Sequence, residues 1–76
     1  MNVGMAIVKD GVLDWINANT SDLLGGEAQE ISAETGWYVG TVEGALKNLE
    51  EDGVISKQDQ DGITTYHKIG MPSWTA

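Results

Sequence analysis

The residues that could carry chemistry are few. A chain of 76 residues with one histidine, His67, and no cysteine offers no thiolate metal ligand, no disulfide and no Cys–His nucleophile pair. Ser32 and Ser56 have no base at a spacing that would activate either hydroxyl, and there is no glycine-rich phosphate loop. Asp59, Asp61 and Gly62 look like a fragment of a calcium loop. In that frame the first ligand position is Lys57 and the bidentate glutamate position is Lys68, so the pattern cannot hold the ion. Catalytic residues, metal ligands and cofactors are therefore not expected.

What remains suits contact with a macromolecule. Lys47, Lys57 and Lys68 offer charge to phosphates, Asn48 can pair with a base edge, and Trp37 and Thr41 add apolar or polar contacts. The competing reading of the lysines is solubility and local pairing with Glu43, Glu51 or Asp59. Gly40 and Gly44 stand four apart, one helical turn, and leave a shallow groove where another backbone could approach. Tolerance of small residues at a surface explains them equally well.

These residues need elements to hold them. Val42, Ala45, Leu46 and Leu49 follow the i, i+3, i+4, i+7 spacing of one buried face, which predicts a helix over residues 39–52. Gly53 ends it in the left-handed conformation that glycine adopts cheaply. Before it, Glu27 opens a second helix, with Glu27 and Glu30 at the positive end of its dipole and Ala28 and Ile31 turned to the core. Met5, Val8, Val12 and Ile16, with Trp15, predict a first helix ending near residues 17–19. Gly11 weakens its middle, and Asp10 as an N-cap is an alternative start. Residues 20–26 read as a loop in which Leu23 and Leu24 are the ones able to tuck under the core. Residues 54–58 and 63–69 alternate as strands about Asp61-Gly62, a hairpin signal, with a polar tip over residues 58–62. Pro72 ends the strand pattern, and Trp74 in the tail either folds back on the core or anchors a partner.

Ile31, the small Ser32, Gly36, Val42 and Leu46, followed by Leu49-Glu50-Glu51-Asp52-Gly53-Val54-Ile55, resemble the winged helix-turn-helix family. The resemblance implies an α+β fold of three helices followed by a two-stranded β-hairpin wing, with one domain over residues 1–70 and a tail over 71–76. It also implies a small regulator of transcription that binds duplex DNA. The residues it assigns to DNA or a partner are Trp37, Gly40, Thr41, Gly44, Lys47, Asn48, Lys57 and Lys68. One position departs from the pattern: where many bacterial repressors have an arginine two residues after the buried valine, this chain has Gly44.

Charge pulls the other way. Twelve acidic residues against four lysines and no arginine give a formal charge of −8, a field that repels phosphate backbones. The composition, 41% apolar with three Trp and two Tyr, supports a compact core. So small a domain gains stability from a partner or a homodimer. The longest apolar runs fall short of the roughly 18 residues of a membrane span, and Met5 to Val8 is too short for a signal sequence, so a soluble cytoplasmic protein is expected. DNA comes first among partners because most of the family acts on nucleic acid. The alternative is an acidic protein-interaction module: an adaptor, an antagonist of a polymerase or repressor, or a DNA mimic. Acidic family members bind DNA when their basic residues share one face.

Overall fold

The computed structural model of the chain describes residues 3–21 and 23–69. The chain runs through α1 (Val3–Asn19), α2 (Ala28–Thr35), α3 (Val39–Glu51), β1 (Ile55–Gln60) and β2 (Ile63–Lys68). Three helices followed by an antiparallel hairpin make an α+β layout that matches a winged helix. The tail over 71–76, with Trp74, and the boundary at residue 70 lie outside the described residues.

The apolar spacing becomes the core directly. Val8, Val12, Trp15 and Ile16 of α1 meet Ala28 and Ile31 of α2, Val42, Ala45, Leu46 and Leu49 of α3, and Ile55 at the start of β1. Val12, Ile16, Ile31, Val42 and Leu46 are fully enclosed; each such side chain contributes about 1.5–3 kcal/mol on leaving water. α1 begins at Val3 instead of Asp10, which lies inside the helix. No described helix is long and apolar enough to cross a membrane.

The turn between α2 and α3 is built by short polar bonds. Gly36 adopts φ 85°, and its N–H donates to the Ser32 carbonyl at 2.9 Å, the left-handed C-cap that a Cβ would strain. The Ser32 hydroxyl donates to the Trp37 carbonyl, and the Thr35 hydroxyl donates to Ile31 O at 2.7 Å. Glu27 is the N-cap of α2, but its side chain makes no capping bond. At the other end of α3, Gly53 at φ 78° reverses the chain, and Val54 N–H donates to Leu49 O at 3.2 Å.

The wing is longer and better ordered in pairing than the polar tip suggests. β1 continues to Gln60, so the turn is Asp61-Gly62 alone, with φ 54° and 80°. Two positive values define a type I′ turn, whose twist matches that of the strands it joins. The 20–26 loop supplies an unforeseen third strand one residue long. Gly26 and Tyr66 exchange both backbone hydrogen bonds, each at 2.8 Å. A Cβ on Gly25 would sit 2.8 Å from the Thr65 Cβ, and one on Gly26 would sit 2.4 Å from the Trp15 ring. The glycine pair is thus the space through which the loop reaches β2 and Trp15 reaches the loop.

That closeness corrects the expectation for Leu23 and Leu24, which are 98% and 64% exposed. Ser21 folds the segment onto itself: its N–H donates to Leu24 O at 2.9 Å, and its hydroxyl oxygen accepts from the Leu23 and Leu24 N–H groups. The leucines are turned outward, and Trp15 fills the space beneath. Buried Thr20 ties the two ends of the domain together. Its hydroxyl donates to Ile16 O at 2.7 Å and accepts from Lys68 N–H at 3.0 Å.

Candidate interaction face of α3 and the wing

α3 exposes Gly40, Glu43, Lys47, Glu50 and Glu51, while Thr41, Gly44 and Asn48 are half-buried along its flanks. The side chains of Lys57, Asp59, Thr64 and Tyr66 share one face of the hairpin because alternate residues of a strand share a face. Between the hairpin, the start of α2 and Glu43 of α3 lies an open cleft of about 280 Å³, lined among others by Glu27, Gln29, Lys57, Thr64 and Tyr66.

The electrostatics of the cleft are legible at Tyr66. Burial pushes its phenol above the ordinary value of 10.0; Lys57 opposes this, and Glu43, Glu50 and Asp59 reinforce it. One lysine and three carboxylates therefore act on the same hydroxyl. Asp59 also accepts a hydrogen bond from the Thr64 hydroxyl across the hairpin.

Two of the four lysines, Lys57 and Lys68, share one face of the hairpin and line one open cleft with Glu50, while Lys9 and Lys47 stand elsewhere. Lys9 Nζ pairs with Asp52 Oδ2 at 3.0 Å on the flank where α1 meets the end of α3. Lys68 Nζ donates to the Asn17 carbonyl at 3.4 Å, at the C-terminal end of α1 where the helix dipole favours a cation. Lys47 on α3 and Lys57 on the wing are exposed and make no ion pair among the described residues. Beside them on α3 stand Glu43, Glu50 and Glu51, so the combined face carries more negative than positive charge.

The other residues singled out from the sequence divide similarly. Trp37 is half-buried and packs against the core. Its ring lies over α1: a Cβ built on Gly11 would be 2.2 Å from Trp37 Cη2. Gly11, expected as a weak point, is the seat of that ring. Gly40 lies under the exposed Tyr38 ring, where a Cβ would be 2.6 Å from Tyr38 Cε2. Gly44 faces the start of α1, where a Cβ would meet Met5 Cε at 3.6 Å, an ordinary contact. The structure does not join Gly40 and Gly44 into one open groove; a different side chain borders each. Thr41, Lys47 and Asn48 share α3, whereas Lys68 lies on the wing beside Lys57.

Sequence reasoning missed Tyr66 as the centre of the cleft and Gly26 as its backbone partner. The Gly25-Gly26 pair was the signal, because adjacent glycines mark close backbone approach as well as loops. Among the described residues, no group of three or more His, Asp or Glu side chains is placed to hold a metal ion. In comparison with known proteins, the chain matches no family model and no curated protein.

Proposed function

We propose that the chain is a small winged-helix interaction module whose α3 and wing meet a basic protein surface, as an adaptor, an antagonist or a mimic of DNA. The observation that carries this reading is the surplus of exposed carboxylates around the lysines of α3 and the wing. Lys9 pairs with Asp52, and Lys68 donates to the Asn17 carbonyl at the end of α1. That leaves Lys47 and Lys57 among the carboxylates of Glu43, Glu50, Glu51 and Asp59. A surface that neutralises about two phosphates releases about two counterions, too few for useful affinity against a net charge of −8. The same carboxylates suit arginine and lysine side chains of a partner.

One observation favours duplex DNA as a second reading: Lys47 on the exposed side of α3 and Lys57 on the wing stand on the two elements with which winged helices touch DNA. A peptide titration tests the first reading. The intact chain is titrated with a fluorescent oligolysine peptide, and Glu43→Gln/Glu50→Gln is compared with Asp10→Asn/Asp14→Asn, which removes equal charge from exposed positions of α1. The interaction reading expects the α3 pair to weaken the peptide several-fold more than the α1 pair. Equal losses would reduce the effect to net charge and overturn it.

A further inference from the structure

Among the described residues the hairpin leaves one edge without a partner, and the backbone bonds of Tyr66 say which groups lie on it. Tyr66 spends its N–H and C=O on Gly26, so in an antiparallel ladder its opposite residue, Lys57, forms a non-hydrogen-bonded pair with it. It follows that Ser56, Gln58 and Gln60 direct their backbone groups to β2, whereas Ile55, Lys57 and Asp59 direct theirs to the outer edge. No backbone bond to that edge exists among the described residues. Lys57, Gln58, Asp59 and Gln60 are all exposed.

We infer that the β1 edge is a self-association surface, with a second copy of this chain pairing antiparallel along β1 so that Lys57 of each copy lies opposite Asp59 of the other. Charge selects this register. The outward groups belong to odd-numbered residues, so only odd residues can form hydrogen-bonded pairs across a two-fold axis. Centring the axis on residue 57 sets Lys57 against Lys57, and centring it on residue 59 sets Asp59 against Asp59. Centring it on Gln58 makes both charged pairs opposite in sign and still overlaps most of the strand. Lys57 and Asp59 project from the same face of the sheet in both copies, so their side chains meet. A lone edge charge guards against pairing; Lys57 and Asp59 two residues apart instead make the edge complementary to itself. The joined wings form a four-stranded sheet, and an interface this small gives a weak, concentration-dependent dimer.

The test uses the full chain and two charge reversals at exposed positions. In Lys57→Asp the cross-pairs become Asp against Asp, and in Asp59→Lys they become Lys against Lys, so neither variant pairs with itself. Mixed together, the two variants restore opposite charges at both pairs. Net charge cannot mimic this result, because Asp59→Lys lowers the charge from −8 to −6 and global repulsion alone would make it associate better. Sedimentation equilibrium up to about 1 mM, the weak end of measurable association, should show self-association of the parent. Each variant should be weakened about tenfold or more, and the mixture should return to the parent's level. Amide exchange should slow with concentration at Lys57 and Asp59 but not at Gln58. A monomeric parent, a self-associating Asp59→Lys, or an unrestored mixture would overturn the assignment. So would protection of Lys57 and Asp59 that does not depend on concentration, which would mean that the chain's own tail occupies the edge. Circular dichroism of each variant verifies that the fold is retained.

Discussion

Gly11→Ala sets two known effects against each other. In an exposed helix interior the substitution stabilises by about 1 kcal/mol, because alanine has the higher helix propensity. At this position the new methyl would lie 2.2 Å from Trp37 Cη2, 2.8 Å from Cζ3 and 3.3 Å from Cζ2. Three atoms of a rigid bicyclic ring cannot yield by a rotation of one terminal bond, so the indole must shift off the core as a unit. Overpacking of this kind costs about 1–3 kcal/mol and part of the ring's burial is lost with it, so the steric effect exceeds the propensity gain. The expected net loss is about 1–2 kcal/mol, and for a domain of this size each kcal/mol lowers the melting temperature by about 4–8 °C. The assay is thermal and urea unfolding followed by circular dichroism and tryptophan fluorescence. In a Trp37→Ala background the clash is gone, so there Gly11→Ala should stabilise by about 1 kcal/mol. A higher melting temperature for Gly11→Ala in the parent, or the same sign in both backgrounds, would show that the Trp37 ring does not rest on α1. Trp37 would then return to the list of residues available to a partner.

Truncation of Leu46, fully enclosed between the helices, to alanine should cost about 2–5 kcal/mol in urea unfolding. Gly44→Ala should raise stability by up to about 1 kcal/mol, because the methyl meets Met5 Cε at an ordinary 3.6 Å. Thr20→Val removes the hydroxyl that binds both Ile16 O and Lys68 N–H. It should destabilise by about 1–3 kcal/mol, with faster amide exchange at Lys68. Tyr66 has a folded-state pKa raised by burial, so the folded state holds the phenol proton more tightly. Its contribution is complete below the ordinary value of 10.0 and is lost as pH rises through the folded value. Stability measured against pH should therefore fall at alkaline pH, and Tyr66→Phe should remove that part of the fall.

The parts of the fold read from the sequence are those whose cause is local. The period of Val42, Ala45, Leu46 and Leu49 marks the buried face of α3 without reference to any other element, and Asp61-Gly62 specifies its own turn through φ values at two adjacent residues. The parts that escaped depend on partners far away in the chain. Gly11 looks like a flaw in a helix until Trp37 is set over it, and Gly25-Gly26 looks like slack until Thr65, Tyr66 and Trp15 close around it. Lys68 alternates correctly along its strand, yet its ammonium is claimed by the Asn17 carbonyl, which a strand pattern cannot reveal. Leu23 and Leu24 are apolar and adjacent to the core, but three short bonds to Ser21 decide their orientation first. The candidate face is legible as a position, α3 beside a wing, whereas its charge balance depends on which lysines are engaged elsewhere.

Titration of a labelled random-sequence duplex with the intact chain, read by fluorescence anisotropy at about 0.01 M salt, separates a protein-binding α3 and wing from a DNA-binding one. Screening is weakest there, with a Debye length of about 30 Å, so any phosphate contact by Lys47 and Lys57 has its best chance of appearing. No binding is expected, because the carboxylates around those lysines repel the backbone at that range. Binding that weakens as salt rises, with a logarithmic slope near −2, and that disappears in Lys47→Ala/Lys57→Ala, would contradict that expectation and make α3 and the wing a DNA-binding surface.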